Sequence, residues 1–170
     1  MKSLRESLLD DDLVEKTDKT IRDEIKSFLK ENYDGLIKIS KKPNADGKYE
    51  VSSTKNITFK NENIISLTNG MFIWATVDGY FNCCYCIKLE GAPKEVGGDF
   101  YCTDCNSLIS LEGAPKEVGG DFYCSYCNSL KSLEGAPKEV GGNFHCFSCA
   151  GKFTIKDVKK ISNVKKDIIC

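Results

Sequence analysis

The sequence has a single histidine, almost no net charge and no long hydrophobic segment. With His145 as its one histidine, the sequence shows no evident nucleophile–base arrangement for catalysis. A formal net charge of −1 over 170 residues provides no general electrostatic attraction to nucleic acid. Walker, kinase and dinucleotide-binding motifs are also missing. We therefore expect a protein that is not an enzyme and does not bind nucleic acid directly.

The absence of long apolar runs bears on the cellular location. No run is long enough to span a bilayer, and the start MKSLRESLLDDD lacks the apolar segment of a signal peptide. Both absences predict a cytoplasmic protein without a membrane partner. In that setting the 10 cysteines are expected as reduced thiols or metal ligands, and not as a disulfide framework.

Repetition is what the sequence has in abundance. The segment LEGAPKEVGGDFYC begins at Leu89 and again at Leu111, and LEGAPKEVGGNFHC begins at Leu133. The cysteines that end the three copies are 22 residues apart: Cys102, Cys124 and Cys146. A fixed period of this length is typical of a solenoid, in which each repeat buries its apolar edge against the next.

One repeat unit fits the leucine-rich-repeat pattern L-x-L-x-x-(N or C)-x-(x)-L-x-x-L. The unit that starts at Phe122 fills this pattern with Cys124, Cys127, Leu130 and Leu133. Phe122 and Cys124 alternate with Tyr123, so the first two face inward on a short strand and Tyr123 faces outward. A free cysteine packs as a small apolar residue, so identical edges can stack about 4.8 Å apart.

Segments with related residue spacing extend the repeat towards both ends of the sequence. VDGYFNC precedes the copies, VKKDIIC ends the sequence, and residues 57–67 fit the pattern with Glu62 at the asparagine position. We therefore predict six parallel strands, centred near residues 58, 82, 101, 123, 145 and 169. The fold class is a mainly β, leucine-rich-repeat-like solenoid with one parallel sheet. Thr154 and Asp157 predict a short helix before the last strand.

The N-terminal part has a different pattern. Ile21, Ile25, Phe28 and Leu29 lie on one face of a helix predicted over residues 18–33. LIKIS at 36–40 and KYEVSS at 48–53 alternate as the strands of a hairpin. We predict that residues 1–55 form a helix-and-hairpin cap, of which about the first 16 residues are mobile. Residues 56–170 form the solenoid, and residues 150–170 form its C-terminal cap.

The repeated SLEGAPKEVGG(D/N)F-x-C, the start MKSLRESLLDDD and the ending KFTIKDVKKISNVKKDIIC together resemble leucine-rich-repeat-like proteins of phages and gut bacteria. The resemblance covers nearly the whole chain. It implies a solenoid architecture, and it implies a phage-encoded factor that inhibits a host protein, for example one of host defence. The corresponding location would be the host cytoplasm.

The cysteines allow a second interpretation. Four C-x-x-C pairs are separated by 15, 18 and 18 residues, which lies within the spacing of zinc sites. The alternative metal ligands are Cys83, Cys86, Cys102, Cys105, Cys124, Cys127, Cys146 and Cys149. The repeat explains the same spacing without a metal, so we expect no cofactor and keep zinc as the alternative.

If the strands are buried on one side, function belongs to their other side. The outward positions carry aromatic and acidic residues beyond what packing requires, and tyrosine is enriched at interface hot spots. The predicted partner-binding residues are Tyr80, Tyr85, Asp99, Tyr101, Asp121, Tyr123, Tyr126, His145 and Phe147. Cross-strand stacking that only stabilises the sheet is the competing explanation.

The sequence thus predicts a non-enzymatic module that binds a protein, most specifically a host protein. Two alternatives stay open: a zinc-binding C-x-x-C adaptor, and a structural or cargo protein of a virion. The sequence does not specify the partner or the oligomeric state.

Overall fold

The computed structural model describes residues 11–59, 67–68 and 70–170. The chain starts with helix α1 (Asp11–Asn32), followed by β1 (Tyr33–Asp34), β2 (Ile37–Ile39) and β3 (Tyr49–Ser53). The next strands are β4 (Ile57–Phe59), β5 (Phe72–Val77), β6 (Phe81–Asn82), β7 (Glu95–Val96), β8 (Phe100–Tyr101) and β9 (Glu117–Val118). The chain then forms β10 (Phe122–Tyr123), β11 (Glu139–Val140), β12 (Phe144–His145), helix α2 (Ile155–Lys159), β13 (Asn163–Val164) and β14 (Ile168–Ile169).

Two seven-stranded sheets form the walls of a β-solenoid. The first sheet has the order β1-β4-β6-β8-β10-β12-β14, and the second has the order β13-β11-β9-β7-β5-β3-β2. All neighbours are parallel except β1 with β4 and β2 with β3. Each turn contributes one strand to each sheet, so the core lies between the two sheets.

The six parallel strands predicted from the repeat are confirmed as β4, β6, β8, β10, β12 and β14 of the first sheet. The second sheet was not predicted. Its repeated strands β7, β9 and β11 contain only a Glu–Val pair, between Pro-Lys and Gly-Gly. Two residues are too short to show the period-two alternation by which a strand is recognised in a sequence.

A stack of phenylalanines fills the core beside the first sheet. Phe81, Phe100, Phe122 and Phe144 are each 0% exposed. Their ring centroids are 5.8, 5.6 and 5.0 Å apart from one turn to the next. The second sheet faces this core with buried valines at 77, 96, 118 and 140. Burying a large apolar side chain contributes about 1.5–3 kcal/mol, so repetition multiplies the stabilisation of one turn.

The N-terminal elements end both sheets. β1 pairs with β4 at one end of the first sheet, and the β2–β3 hairpin joins the second sheet through β5. Helix α1 packs here through Ile25 and Leu29, which are buried, and Phe28 contacts Phe72 edge to face. Of the predicted mobile segment, residues 1–10 lie outside the described part, and residues 11–16 belong to α1. Glu62, at the predicted asparagine position, also lies outside it.

The short C-terminal helix is confirmed as α2. Thr154 caps it: its hydroxyl oxygen accepts from the backbone N–H of Asp157 at 3.3 Å. The Asp157 carboxylate in turn accepts from the backbone N–H of Thr154 at 3.0 Å. Val158 is buried, so α2 carries one apolar side chain into the last turn.

Close approach between successive turns explains the repeated Gly-Gly. A Cβ added at Gly119 would overlap the backbone carbonyl oxygen of Gly97, and one added at Gly141 would overlap that of Gly119. Both contacts are with backbone atoms, which cannot rotate away. Side chains at this corner would therefore force the turns apart, and the two sheets would lose their register.

We expect Gly119→Ala to lower the free energy of unfolding by about 1–3 kcal/mol, the usual cost of forcing a group into a packed region. Urea denaturation followed by circular dichroism measures the change. Glu117→Ala is the control: Glu117 is exposed two residues away, so the change should be within about 0.5 kcal/mol. Equal effects of the two substitutions would contradict this account of the glycine corner.

Candidate partner-binding surface and the cysteine ladder

An aromatic column runs across the outward side of the first sheet. Tyr101 and Tyr123 stack with their ring centroids 4.7 Å apart and 5° between their planes. Tyr123 and His145 stack at 4.3 Å and 14°. Tyr80 completes the column edge-on, 5.9 Å from Tyr101. The parallel in-register strands produce the stack of Tyr101, Tyr123 and His145, because they place equivalent residues of successive turns beside each other. Tyr80 reaches Tyr101 from a different position, since Asn82 is the residue opposite Tyr101.

An acidic column lies next to the aromatic one and is tied to it. Tyr101 donates its hydroxyl hydrogen to Asp99 at 2.8 Å, and Tyr123 donates to Asp121 at 3.0 Å. The backbone N–H of Asp121 donates to the Asp99 carboxylate at 2.7 Å, and that of Asn143 donates to the Asp121 carboxylate at 2.7 Å. Each carboxylate therefore links its own turn to the following turn.

These hydrogen bonds set the charge of the surface. Burial opposes ionisation of Asp121, but hydrogen bonds from the backbone N–H of Asn143 and from Tyr123 outweigh it, so the pKa of Asp121 is lowered. Burial, together with the neighbouring carboxylate, raises the pKa of Tyr123 to about 12. His145 Nε2 lies 3.7 Å from Asp121 Oδ2. At neutral pH the column is thus a neutral tyrosine stack beside an ionised aspartate.

A second aromatic group projects from the loops that follow the strands. Tyr85 and Tyr126 are 46% and 48% exposed. Both have left-handed backbone conformations, with φ values of 64° and 60°. Tyr126 meets Phe147 of the next turn edge to face, with centroids 5.0 Å apart. The nine predicted partner-binding residues therefore fall into two groups, one on or just before the strands of the first sheet and one on the loops that follow them.

The cysteines form two buried columns inside the solenoid. All eight C-x-x-C cysteines are buried. Cys102 Sγ donates to the carbonyl oxygen of Tyr123 at 3.2 Å, and Cys124 Sγ donates to that of His145 at 3.3 Å. In the other column, Cys86 Sγ lies 3.3 Å from Cys105 Sγ. The cysteines thus fill the core as small side chains. The thiols of Cys102 and Cys124 also form hydrogen bonds with the strand of the following turn.

The thiols have the buried environment that the apolar ladder predicts, and zinc stays the alternative prediction. Within residues 11–59, 67–68 and 70–170, no group of three or more His, Cys, Asp or Glu side chains is arranged to hold a metal ion. Burial raises the pKa of Cys83 to about 12. Hydrogen bonding with Cys105, together with burial, raises the pKa of Cys127 to about 12. At neutral pH these thiols are therefore protonated and pack as neutral side chains.

The prediction that all ten cysteines are free thiols is wrong for two of them. Cys146 and Cys170 form a disulfide, with their Cα atoms 4.6 Å apart. The register explains the pair: β12 and β14 are aligned, with His145 opposite Ile169, so the residues that follow them are also opposite. The remaining eight cysteines are free.

Two features of the surface lie outside the predicted site. Cys84, at an outward position, is the one free cysteine that is not buried, and its Sγ lies 3.0 Å from Thr103 Oγ1. A row of glutamates lies on the strands of the second sheet, and a row of lysines lies just before them. The Lys–Glu dipeptide occurs in every repeat of the sequence. It indicates two charged rows only if the second sheet, which was not predicted, is known.

No protein-family model, curated protein or solved structure matches the chain. The class of protein is therefore defined by the fold alone: a β-solenoid with two parallel sheets and repeats spaced by about 22 residues. The relation to leucine-rich-repeat-like proteins of phages and gut bacteria stays a prediction. Among the described residues, no helix is long and apolar enough to cross a membrane.

We expect a native thiol titration to detect mainly Cys84, because the other seven free cysteines are buried. After denaturation without reductant, eight thiols should react, and a reductant should release the Cys146–Cys170 pair. Cys84→Ser is the control and should remove the fast native reaction. Fast reaction of several thiols in the folded protein would contradict the buried ladder.

Alkaline pH should destabilise the protein because of the same burial. The folded-state pKa of Cys83, about 12, exceeds its ordinary value of 9.0, so the unfolded chain releases the proton first. Stability from the protonated thiol is complete below pH 9.0 and is lost as the pH rises from 9.0 towards 12. Each such thiol contributes up to about 1.4 kcal/mol per pH unit in this range.

The melting temperature, measured from pH 7 to pH 11 by circular dichroism, should therefore fall above about pH 9. Cys83→Ala replaces the titrating thiol with a small apolar side chain, and its melting temperature should fall less steeply over the same range. A flat profile for the unmodified protein would show that the thiols are not buried as described.

Proposed function

We propose that this chain is a non-enzymatic protein-binding module. Its docking surface is the first-sheet surface, formed by the aromatic column (Tyr80, Tyr101, Tyr123 and His145), the acidic column (Asp99 and Asp121) and the loop aromatics (Tyr85, Tyr126 and Phe147). The observation that carries the proposal is the row of stacked aromatic rings held on the outside of the sheet.

The aromatic column is ordered before any partner arrives. Tyr123 lies between Tyr101 and His145, and its hydroxyl group is held by Asp121. Ordering side chains during association costs about 0.5–1.5 kcal/mol for each rotamer-rich side chain. A pre-ordered column avoids most of that cost, which favours a function in binding.

The loop aromatics supply the exposed apolar area. Tyr85 and Tyr126 are nearly half exposed, and neither ring is needed to fill the core. Binding energy in protein interfaces is concentrated in a few residues, among which tyrosine is enriched. We therefore assign the main apolar contacts to these loops, beside the flatter column.

The acidic column contributes charge and little direct hydrogen bonding. The carboxylates of Asp99 and Asp121 already accept hydrogen bonds from tyrosine hydroxyls and backbone N–H groups. Asp121 remains ionised, since these bonds lower its pKa. The negative potential fits a basic patch on the partner and should raise the association rate more than the final affinity.

The narrower role, a phage-encoded inhibitor of a host defence protein, rests on the sequence resemblance alone. If the resemblance holds, adding the purified protein to the captured host factor should block that factor's activity. The binding proposal does not depend on this narrower role.

The experiment captures the partner from a host extract on immobilised protein and then measures affinity with purified components by calorimetry. Tyr126→Ala and Tyr123→Ala should each cost about 2 kcal/mol or more of binding free energy if they are hot spots. Tyr126→Ala should leave the unfolding free energy nearly unchanged, because its ring is nearly half exposed.

Two controls separate binding from folding. Phe122→Ala removes a fully buried ring and should cost about 3–5 kcal/mol of stability. Glu117→Ala, on the second sheet, should change neither stability nor partner affinity. If Tyr101→Ala, Tyr123→Ala and Tyr126→Ala all bind at the wild-type affinity, the first-sheet surface is not the docking site, and residues 18–53 become the candidate.

A further inference from the structure

Two parallel rows of opposite charge run along the second sheet, one on its strands and one at the bend just before them. The Glu row consists of Glu95, Glu117 and Glu139, which are direct neighbours on β7, β9 and β11. The Lys row consists of the residues just before them, Lys94, Lys116 and Lys138. Backbone hydrogen bonds of 2.8 Å link each lysine to the lysine of the next turn. Both rows are exposed throughout.

Most of these charges have no salt-bridge partner among the described residues. Across residues 11–59, 67–68 and 70–170, no lysine of the Lys row forms a salt bridge, and neither do Glu95 and Glu117. Glu139 alone is engaged, 3.6 Å from Lys165 Nζ and 2.8 Å from Asn163 Nδ2. The acidic column of the first sheet differs, because tyrosine hydroxyls and backbone N–H groups compensate its carboxylates.

Stacking like charges on adjacent strands opposes folding. The rows repeat at a strand spacing of about 4.8 Å, and like charges directly opposite each other on neighbouring strands are destabilising. Alternating lysine and glutamate between turns would remove this repulsion, but the repeat keeps each row of a single sign. Two complementary rows from outside the molecule would compensate both signs at once.

The double row is complementary to itself. A two-fold rotation about an axis parallel to the rows brings a second copy face to face and exchanges left and right. The Lys row of one copy then faces the Glu row of the other, on both sides of the axis. Isologous interfaces require a patch that matches itself in this way. The other face-to-face two-fold, with its axis across the rows, would oppose lysine to lysine.

Grooves on both sides of the double row provide room for the partner's side chains. The groove beside the Glu row has a volume of about 370 Å³ and is lined by Gly97, Gly119 and Gly141, which have no side chains. The groove beside the Lys row has a volume of about 630 Å³ and is lined largely by alanine, proline and glycine. Lys165 also lines the groove beside the Glu row, where its Nζ lies 3.6 Å from Glu139.

The ends of the rows fix the register. The Glu row is bounded by Thr76 on β5 and Asn163 on β13, which are both uncharged. Three lysines of each copy face three glutamates of the other only when the two solenoids are aligned turn by turn. A shift by one turn removes one Lys–Glu pair on each side of the axis.

We propose that the double Lys–Glu row is a self-association surface, through which two copies form a side-by-side dimer with parallel solenoid axes. Because exposed ion pairs are individually weak and are screened by salt, the dimer is concentration-dependent and dissociates at high ionic strength. The surface lies on the sheet opposite to the first-sheet surface, so the two binding activities are independent.

The test uses two triple variants of the full chain. Lys94→Glu, Lys116→Glu and Lys138→Glu give two acidic rows, and Glu95→Lys, Glu117→Lys and Glu139→Lys give two basic rows. In analytical ultracentrifugation at low salt, the wild type should double its mass with rising concentration. Each variant alone should stay monomeric, and an equimolar mixture of the two should form a heterodimer.

A sixfold variant that carries both sets of substitutions exchanges the rows and keeps the composition and net charge. It should dimerise with itself as the wild type does, because the exchanged rows again face rows of opposite charge about an axis parallel to them. Circular dichroism verifies that each variant is folded, and Lys94→Gln, Lys116→Gln and Lys138→Gln replace the acidic set if it unfolds.

Loss of the wild-type dimer in the folded glutamine variant supports the proposal. A monomeric wild type at every concentration tested at low salt overturns it. Dimers of unchanged affinity in the triple charge variants, or a folded sixfold variant that stays monomeric, also overturn it.

Discussion

The stacking of identical residues on identical residues is the constraint on which this structure depends. Each turn offers the next a short strand in each sheet, a phenylalanine and two cysteines, and the backbone hydrogen bonds of both sheets hold them in register. Strands of two residues are marginal alone. They persist here because the ring of Phe122 lies between those of Phe100 and Phe144, and every neighbour adds the same contacts.

The same constraint shapes both outer surfaces. Any outward residue of the repeat recurs in each turn and forms a row along the sheet, whether or not that row stabilises the fold. On the first sheet the rows support each other, since tyrosine hydroxyls and backbone N–H groups satisfy Asp99 and Asp121. Along the second sheet, most lysines and glutamates of the two rows form no salt bridge with any residue that the structure describes. The two faces therefore differ in what they offer a partner: one is ordered and aromatic, and the other is highly charged.

Period and alternation allowed much of the first sheet to be predicted. Phe122 and Cys124 alternate with Tyr123, so their inward and outward directions follow from the sequence, and the structure agrees. The hydrogen bond between Tyr123 and Asp121 was not foreseen. Residues two apart on a strand lie on the same face, but whether their side chains meet depends on rotamers that neighbouring turns select. The hydrogen bonds that compensate the charges of the aspartates could therefore be established only from the tertiary structure.

The sequence by itself determined the 22-residue period, the inward phenylalanines and cysteines and the aromatic column, because a repeat repeats its pattern of burial. The tertiary structure alone decided the second sheet, because Glu117–Val118 becomes a strand only when the equivalent pairs of adjacent turns bond to it. It also decided the pairing of Cys146 with Cys170. The three earlier steps of this column have the same register, but there the Sγ atoms of Cys83, Cys102 and Cys124 donate to carbonyl oxygens of the next strand. Among the ten cysteines, only Cys146 and Cys170 bond to each other.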